Sequence, residues 1–132
     1  ADLKAAGVHV AIVSAGVDLY VQSIAALVKA DDWIANGFHF DDDGWLMDEG
    51  IVRVPSMEKY TAIQRLLEIL ECPPDRLVSV GDSSMDLSMH IEGSTFIGFN
   101  PQRETAKAAF AEAGITVLNS KDLNDLRPHL GL

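Results

Sequence analysis

Basic residues are scarce in this chain of 132 residues: 10 lysines and arginines stand against 20 aspartates and glutamates, a formal charge of −10. Nucleic-acid-binding domains usually cluster basic side chains on one face, and the sequence has no such cluster. We therefore expect no nucleic-acid partner. An anionic ligand would have to be held by a few local positive groups, because the overall field repels it.

Other features are missing as well. Cys72 is the single cysteine, so no disulfide can form within the chain, and this favours a reducing compartment such as the cytoplasm. No apolar run approaches the about 20 residues of a membrane-spanning helix, so we expect no membrane association. Neither a Gly-x-Gly-x-x-Gly pattern nor a P-loop lysine is present, which disfavours a nucleotide-binding module. Residues 1–7 lack a signal-peptide layout and are typical of a helix that ends at Gly7, so we expect a preceding segment to be lost.

Apolar runs and helical patterns alternate along the chain. Apolar runs that predict strands cover residues 8–13, 77–80, 95–99 and 115–118, and helical spacing covers 17–29, 57–70, a segment from about 85, 105–113 and, as a short element, 122–130. This alternation predicts one α/β domain over residues 1–132 with a mostly parallel sheet. Asp41-Asp42-Asp43-Gly44 between two apolar flanks predicts a β-hairpin excursion from that sheet.

Polar residues follow two of the predicted strands, at the sheet edge where α/β proteins bind ligands. Ser14-Ala15-Gly16 follows the first strand and precedes a helix, so a hydroxyl and backbone N–H groups are available for an anion. The alternative interpretation of Ser14 is a plain helix cap. Asp82 follows the second strand through Gly81.

Lys59 lies near the start of a predicted helix. With Ser56 as the N-cap, Lys59 occupies about the third helical position, where a cation opposes the helix dipole. Glutamate would complete a capping box there. A bound anion would explain the lysine; the alternative is a solvated lysine that tolerates a small penalty.

Asp82 and Asp86 are two carboxylates at one strand end. If a helix begins near Ser83, Asp86 lies in its first turn and the two carboxylates converge. Magnesium favours hard oxygen ligands and usually takes one or two carboxylates together with water. For Asp86 the alternative is a capping box with Ser83.

Together these features resemble the second, third and fourth motifs of the haloacid dehalogenase superfamily. The ordered motifs are the strand ending in Ser14, the helix start at Lys59, and Gly81-Asp82-Ser83-Ser84-Met85-Asp86. The run from Val10 to Gly16 is similar to the phosphoserine phosphatase branch. The resemblance covers nearly the whole chain and implies a three-layer, Rossmann-like α/β fold whose first strand is missing.

The resemblance implies an Mg²⁺-dependent phosphatase that acts on a small phosphorylated metabolite through an aspartyl-phosphate intermediate. On the phosphate side, Ser14 would donate a hydrogen bond to the phosphoryl oxygens, within the turn that Ala15 and Gly16 complete. Lys59 would neutralise phosphate charge and pair with the nucleophile.

The resemblance also assigns the metal side. Asp82 would bind Mg²⁺ directly, Asp86 would belong to the metal site and orient it, and Ser83 would add a hydrogen bond. Met85 stands where the phosphoserine phosphatase branch usually has asparagine, a departure that points toward the wider superfamily.

The family's first motif, an Asp-x-Asp pair after the first strand, has no counterpart where it is expected. Asp41-x-Asp43-Gly44 has the right shape but lies in the predicted hairpin, where an acidic turn is usually solvated. We expect the nucleophile upstream of residue 1, and an upstream segment or another chain to fill the vacant slot between the strands of Ser14 and Asp82, since open edges promote aggregation. The alternatives are a non-catalytic partner or regulatory domain of the same fold, and a phosphotransferase.

Overall fold

A computed structural model describes residues 2–132, with side chains from residue 3 onward. The chain divides into two compact units, of which the first ends at Ala62 and the second is Ile63–Leu132. Each unit carries its own three-stranded sheet. The predicted α/β class is confirmed, because the strand pairs β1–β2, β4–β5 and β5–β6 defined below are parallel.

The first unit alternates helices and strands as predicted. Its elements are α1 (Asp2–Ala5), β1 (Ala11–Val17), α2 (Asp18–Val28), β2 (Asp32–Phe40) and β3 (Leu46–Ile51). β1 pairs in parallel with β2, and β2 pairs antiparallel with β3 to form the predicted hairpin. The first half of β2 was not predicted, because its first residue, Asp32, is of a type that is unfavourable in strands.

β1 does not end at Val13, as the sequence predicted, but continues to Val17. Its register advances from Val13 to Val17 while the partner strand advances only from Ile34 to Asn36. The surplus residues of β1, at 14–16, form a bulge, which re-aims side chains and is frequent beside functional sites. The turn predicted at Ser14-Ala15-Gly16 is therefore a bulge within a continuing strand.

α2 packs through a narrower face than its sequence predicted. Val21 and Ala25 are buried, whereas Tyr20 and Leu27 are 71% and 77% exposed. The predicted inward face, which consisted of Val17, Tyr20, Val21, Ile24, Leu27 and Val28, is wrong at its edges.

The acidic hairpin turn is stabilised by the Asp41 side chain. Its Oδ1 accepts the backbone N–H groups of Asp43 at 3.0 Å and Trp45 at 2.7 Å. Gly44 adopts a φ of +84°, which glycine adopts without strain. All of residues 41–45 are exposed, so the expectation of a solvated turn is confirmed.

Asp31, just before β2, connects α1 to the residue that precedes β1. It accepts a hydrogen bond from the Lys4 ammonium and another from the Val10 backbone N–H at 2.9 Å. The Lys4 hydrogen bond, followed by that of Val10, holds the pKa of Asp31 below its ordinary value.

The second unit contains a parallel sheet and several short helical turns. α3 (Lys59–Leu70) leads into it, followed by β4 (Val78–Gly81), β5 (Thr95–Phe99), α4 (Glu104–Glu112), β6 (Thr116–Leu118) and the 3₁₀ segments Pro74–Arg76, Ser84–Met89 and Leu123–Leu130. The strand order is β4-β5-β6. Ile97, Phe96 and Phe110 form the core, and the two phenylalanine rings lie 5.7 Å apart. The helix predicted from about Met85 is a 3₁₀ segment.

β1 and β4 are both edge strands of their own sheets. Within residues 2–132, β1 pairs with β2 alone and β4 pairs with β5 alone. Each therefore has one edge without a neighbouring strand among the described residues. No helix in this part of the chain has both the length and the apolar composition to cross a membrane.

Candidate active site

A tight loop at the carboxyl end of β4 is built around Asp86. Its Oδ2 accepts the Asp82 N–H at 3.1 Å, the Ser83 N–H at 3.0 Å and the Ser83 hydroxyl at 2.9 Å. Ser83 is the N-cap of the 3₁₀ segment and forms a capping box with Asp86. The capping interpretation of Asp86 is therefore correct, whereas the convergence of its carboxylate with that of Asp82 stays a prediction.

The Asp82 side chain differs from Asp86 in its surroundings. Asp86 is buried, whereas Asp82 is exposed, and its carboxylate accepts no hydrogen bond from the described residues. The oxygen atoms of Asp82 are thus available to a ligand at the carboxyl end of β4, while Oδ2 of Asp86 orders the loop that carries them.

A magnesium ion demands hard oxygen ligands, which carboxylates supply. Residues 2–132 contain no group of three or more His, Cys, Asp and Glu side chains that could hold a metal. Magnesium does not need such a group, because it is commonly bound by one or two carboxylates, water and substrate phosphate. Asp82 supplies a hard, exposed carboxylate of the right type, so the residues present fit the ion.

Ser14 lies in the β1 bulge and orders it. Its Oγ accepts the backbone N–H of Gly16 at 3.0 Å, which leaves the hydroxyl proton available for donation to another acceptor. α2 begins at Asp18, its N-cap is Val17, and no side chain caps it. The helix-cap interpretation of Ser14 is therefore wrong. The Gly16 N–H, which was expected to be free for an anion, is occupied by Ser14.

Asn36 in β2 is a polar residue of this region that the sequence did not reveal. Its Nδ2 donates to the carbonyls of Ala15 at 3.0 Å and Val54 at 3.1 Å. Its Oδ1 accepts the backbone N–H groups of Arg53 and Val54, both at 2.8 Å. The one available signal was an asparagine within an otherwise apolar segment, where it is disfavoured unless it has partners.

Lys59 is the first residue of α3 and not its third, so the prediction that Ser56 caps the helix is wrong. Residues 55–58 form a turn, which is closed by the Glu58 N–H donating to the Pro55 carbonyl at 3.0 Å. Ser56 lies inside this turn and not at the start of the helix. Lys59 is 9% exposed, which excludes the solvated-lysine interpretation. A buried ammonium at a helix N-terminus requires polar or anionic surroundings.

The predicted site residues fall into two local groups. Ser14, Ala15 and Gly16 share the bulge of β1, and Lys59 belongs to the same unit. In the second unit, the loop after β4 holds the metal-side residues, Asp82, Ser83 and Asp86. The assembly of both groups around one ligand stays a prediction.

Comparisons with known proteins identify the family of the chain. A family model for haloacid dehalogenase-like hydrolases matches residues 1–90. The match covers more than half of the chain, so this protein belongs to the haloacid dehalogenase-like hydrolase family. A comparison with curated protein sequences gives no significant match.

Solved structures of phosphoserine phosphatases have a similar fold. A phospho-aspartyl intermediate analogue of phosphoserine phosphatase is 25% identical, with a TM-score of 0.81 over 98% of this chain and 59% of that one. A substrate-bound phosphoserine phosphatase complex is 24% identical, with a TM-score of 0.82 and the same coverage of 98% and 59%. A probable phosphoserine phosphatase from Vibrio cholerae, unliganded, is 21% identical with a TM-score of 0.80, over 98% of this chain and 38% of that one. This chain thus spans about three fifths or less of their lengths.

Proposed function

We propose that this chain forms the phosphate-binding and metal-binding part of a phosphomonoester hydrolase similar to phosphoserine phosphatase. The observation that carries the proposal is the loop after β4, in which a buried Asp86 orders the backbone that presents an exposed Asp82. Such an arrangement holds one carboxylate ready for a cation, as Mg²⁺-dependent phosphoryl transfer requires.

On the phosphate side, Ser14 donates its hydroxyl proton to a phosphoryl oxygen while its Oγ continues to accept the Gly16 N–H. Ala15 and Gly16 give the bulge its shape. Lys59 provides a local positive charge in a chain of net charge −10 and balances the charge on the equatorial phosphoryl oxygens. Its burial strengthens the interaction, since water does not screen it.

On the metal side, Asp82 holds the ion, and Asp86 and Ser83 keep the Asp82 loop in position. When bound, Mg²⁺ polarises the phosphoryl group and offsets its negative charge. The structure of a phospho-aspartyl intermediate analogue of phosphoserine phosphatase supports the choice of a covalent route. In that route an aspartate oxygen bonds to phosphorus as the ester P–O bond breaks and the alcohol leaves. Water then bonds to phosphorus as the aspartyl O–P bond breaks, which releases inorganic phosphate and restores the aspartate.

The nucleophilic aspartate in this proposal comes from a segment outside the 132 residues. Within them, the Asp-x-Asp-Gly shape occurs in the exposed hairpin turn at residues 41–44. The segment with the nucleophile, from upstream or from another chain, adds a strand at the free edge of β1, of β4 or of both. We further propose a small phosphorylated metabolite as substrate, no nucleic-acid partner, and the cytoplasm as compartment, the last because Cys72 is a free thiol.

The proposal is tested on the full-length protein with phosphoserine and p-nitrophenyl phosphate. Phosphate release is measured with Mg²⁺, with EDTA, and after Mg²⁺ is restored. We expect turnover that EDTA abolishes and Mg²⁺ recovers. Asp82→Asn and Ser14→Ala should lower kcat/KM by about 100-fold or more and by about 10-fold, respectively. Asp42→Asn, in the exposed hairpin turn, is the control for a lost surface carboxylate.

The rival function is a phosphate-binding domain without catalysis, favoured by the missing Asp-x-Asp pair. It predicts that the full-length protein binds Mg²⁺ and inorganic phosphate but releases no phosphate from either ester. Transfer of the phosphoryl group to an added alcohol in place of water would instead identify a phosphotransferase.

A further inference from the structure

We propose that Asn36 is a positioning residue that holds the phosphate-binding bulge of β1 and the chain segment leading to Lys59 at a fixed separation. The inference rests on the proposed function, because it assigns Asn36 a role in that same site. Nothing in the motifs at Ser14, Lys59 or Asp82 includes this residue.

The Asn36 amide uses its full hydrogen-bonding capacity. A carboxamide has two N–H donors and two acceptor lone pairs. Here Nδ2 makes two donations, to Ala15 and Val54, and Oδ1 accepts twice, from Arg53 and Val54. Every contact is to backbone, so the amide fixes main-chain positions whatever the neighbouring side chains do.

The two segments that Asn36 joins both lead directly to candidate phosphate ligands. Ala15 lies between Ser14 and Gly16. The hydroxyl oxygen of Ser14 accepts the Gly16 N–H in the hydrogen bond of the bulge. Val54 is 1% exposed and is followed by the turn of residues 55–58, after which α3 begins with Lys59. A shift of Asn36 would therefore move the serine hydroxyl relative to the lysine ammonium.

A second connection runs beside the first. The Arg53 guanidinium Nη1 donates to Asp18 Oδ2 and to the Ala35 carbonyl, both at 3.1 Å. A Cβ at Gly37 would lie 2.5 Å from Asp18 Oδ2 and 2.6 Å from Arg53 Nη1, so glycine makes room for the pair. This pair is partly exposed, with 41% of the Arg53 side chain accessible, and such pairs contribute little. Asn36 is therefore the principal connection.

The test compares Asn36→Asp with Arg53→Ala and Ser94→Ala in the full-length enzyme. Asn36→Asp keeps the shape and the acceptor oxygen but places a carboxylate oxygen against the Ala15 and Val54 carbonyls. Ser94 is the matched control, because its half-buried hydroxyl donates to the Ile91 carbonyl at 2.7 Å. It precedes β5, at the end of that strand opposite to the one beside the Asp82 loop. The readouts are kcat, KM, the inhibition constant of inorganic phosphate and the thermal midpoint.

For Asn36→Asp we expect kcat/KM to fall about 10- to 100-fold, the size associated with misplacing a reacting group by about 1 Å. The inhibition constant of inorganic phosphate should rise at least 5-fold, on the order of 1 kcal/mol of lost phosphate binding. Arg53→Ala should keep kcat/KM within about 3-fold of wild type, because a partly exposed ion pair contributes little. Ser94→Ala should lower the thermal midpoint without a change in kinetics.

The two hypotheses fail in different ways. Wild-type enzyme without turnover contradicts the proposed function and the role of Asn36 with it. An active wild type whose Asn36→Asp variant keeps kcat, KM and phosphate inhibition overturns the positioning role alone. So does a variant that loses kcat while phosphate inhibits it as before. If Asn36→Asp does not fold, Asn36→Ser is measured by the same criteria.

Discussion

Gly81 and Asp86 approach so closely that a Cβ on Gly81 would lie 2.3 Å from the Asp86 Cβ and 2.8 Å from its Oδ2. The glycine is required by this approach and not by its backbone angles, since its φ is not positive. The close contact places Asp86 Oδ2 within hydrogen-bond distance of the two backbone N–H groups that follow. The shape of the Asp82 loop therefore depends on the absence of a side chain at position 81.

Gly81→Ala should disrupt this loop. The added methyl group has no space, and overpacking of this kind typically costs about 1–3 kcal/mol. We expect a lower free energy of unfolding in urea and loss of Mg²⁺-dependent turnover in the full-length protein, because Asp86 must leave the N–H groups that it accepts. Gly50→Ala is the comparison: its Cβ would lie 3.3 Å from the Gly37 carbonyl oxygen, a tight contact in the exposed hairpin. Equal stability and activity of Gly81→Ala and wild type would contradict the role given to Asp86.

Lys59 provides a prediction about charge. Lys59→Met keeps most of the side-chain volume but removes the charge that, in the proposed function, faces the phosphoryl group. We expect kcat to fall by about 10²–10³-fold, as for the removal of one electrostatic stabiliser of a transition state. Lys59→Arg should also be impaired, because a planar guanidinium does not reproduce a compact ammonium in a buried site.

The control for these variants is Lys107→Met. Lys107 lies on α4, where its ammonium is 2.8 Å from Glu104 in an exposed pair, so its loss should leave turnover intact. All variants are assayed below their own thermal midpoints. If Lys59→Met and Lys107→Met retain the same activity, Lys59 has no part in catalysis.

The loop from Gly81 to Asp86 was predictable because its contacts are local. Ser83 and Asp86 are three positions apart, and the capping pattern of the sequence fixes their hydrogen bonds without reference to the rest of the fold. The hydrogen bond between Ser14 and Gly16 is equally local but was not predicted, because it belongs to a bulge that was not foreseen. A bulge depends on the register against a partner strand, and the first half of β2 was not recognised as a strand.

The role of Asn36 was not predictable, because its contacts are not local. Its partners are 17 to 21 positions away in the sequence, in β1 and after β3. No periodicity relates these positions, so only the folded sheet brings them to one amide. Ser56 illustrates a further limit: its sequence is that of a helix cap, but the backbone turn at residues 55–58 moves the helix start to Lys59.

Asp31 provides a prediction about pH. Its pKa is lowered in the folded protein, first by the Lys4 hydrogen bond and then by the Val10 N–H. Folding therefore favours the ionised form, so this contribution to stability is present above the pKa of the unfolded chain and is lost as the pH falls through the lower, folded pKa. The thermal midpoint of Asp31→Asn should lie below that of wild type at pH 7, and the difference should shrink in the acid range below about pH 4.

Asp42→Asn serves as the matched variant for this comparison, since Asp42 is exposed in the hairpin turn. The thermal midpoint of Asp42→Asn should stay close to that of wild type, and the small difference should not change with pH in the same way. If the thermal midpoints of Asp31→Asn and wild type differ by a constant amount from pH 7 to pH 3, the ionised form of Asp31 does not contribute to stability.

The free edges of β1 and β4 lead to the last prediction. Among the described residues each strand has one neighbour, so the N–H groups on its other edge lack a strand partner. If a segment outside the 132 residues pairs with these edges, their amides should exchange with deuterium much more slowly in the full-length protein than in the 132-residue chain alone. β5, which has a strand on each side in its own sheet, provides the internal reference, because its amides should be protected in both. Equal protection of β1 and β4 in the two proteins, with β5 protected in both, would show that no additional strand is added there, and the nucleophile would then have to reach the site without extending either sheet.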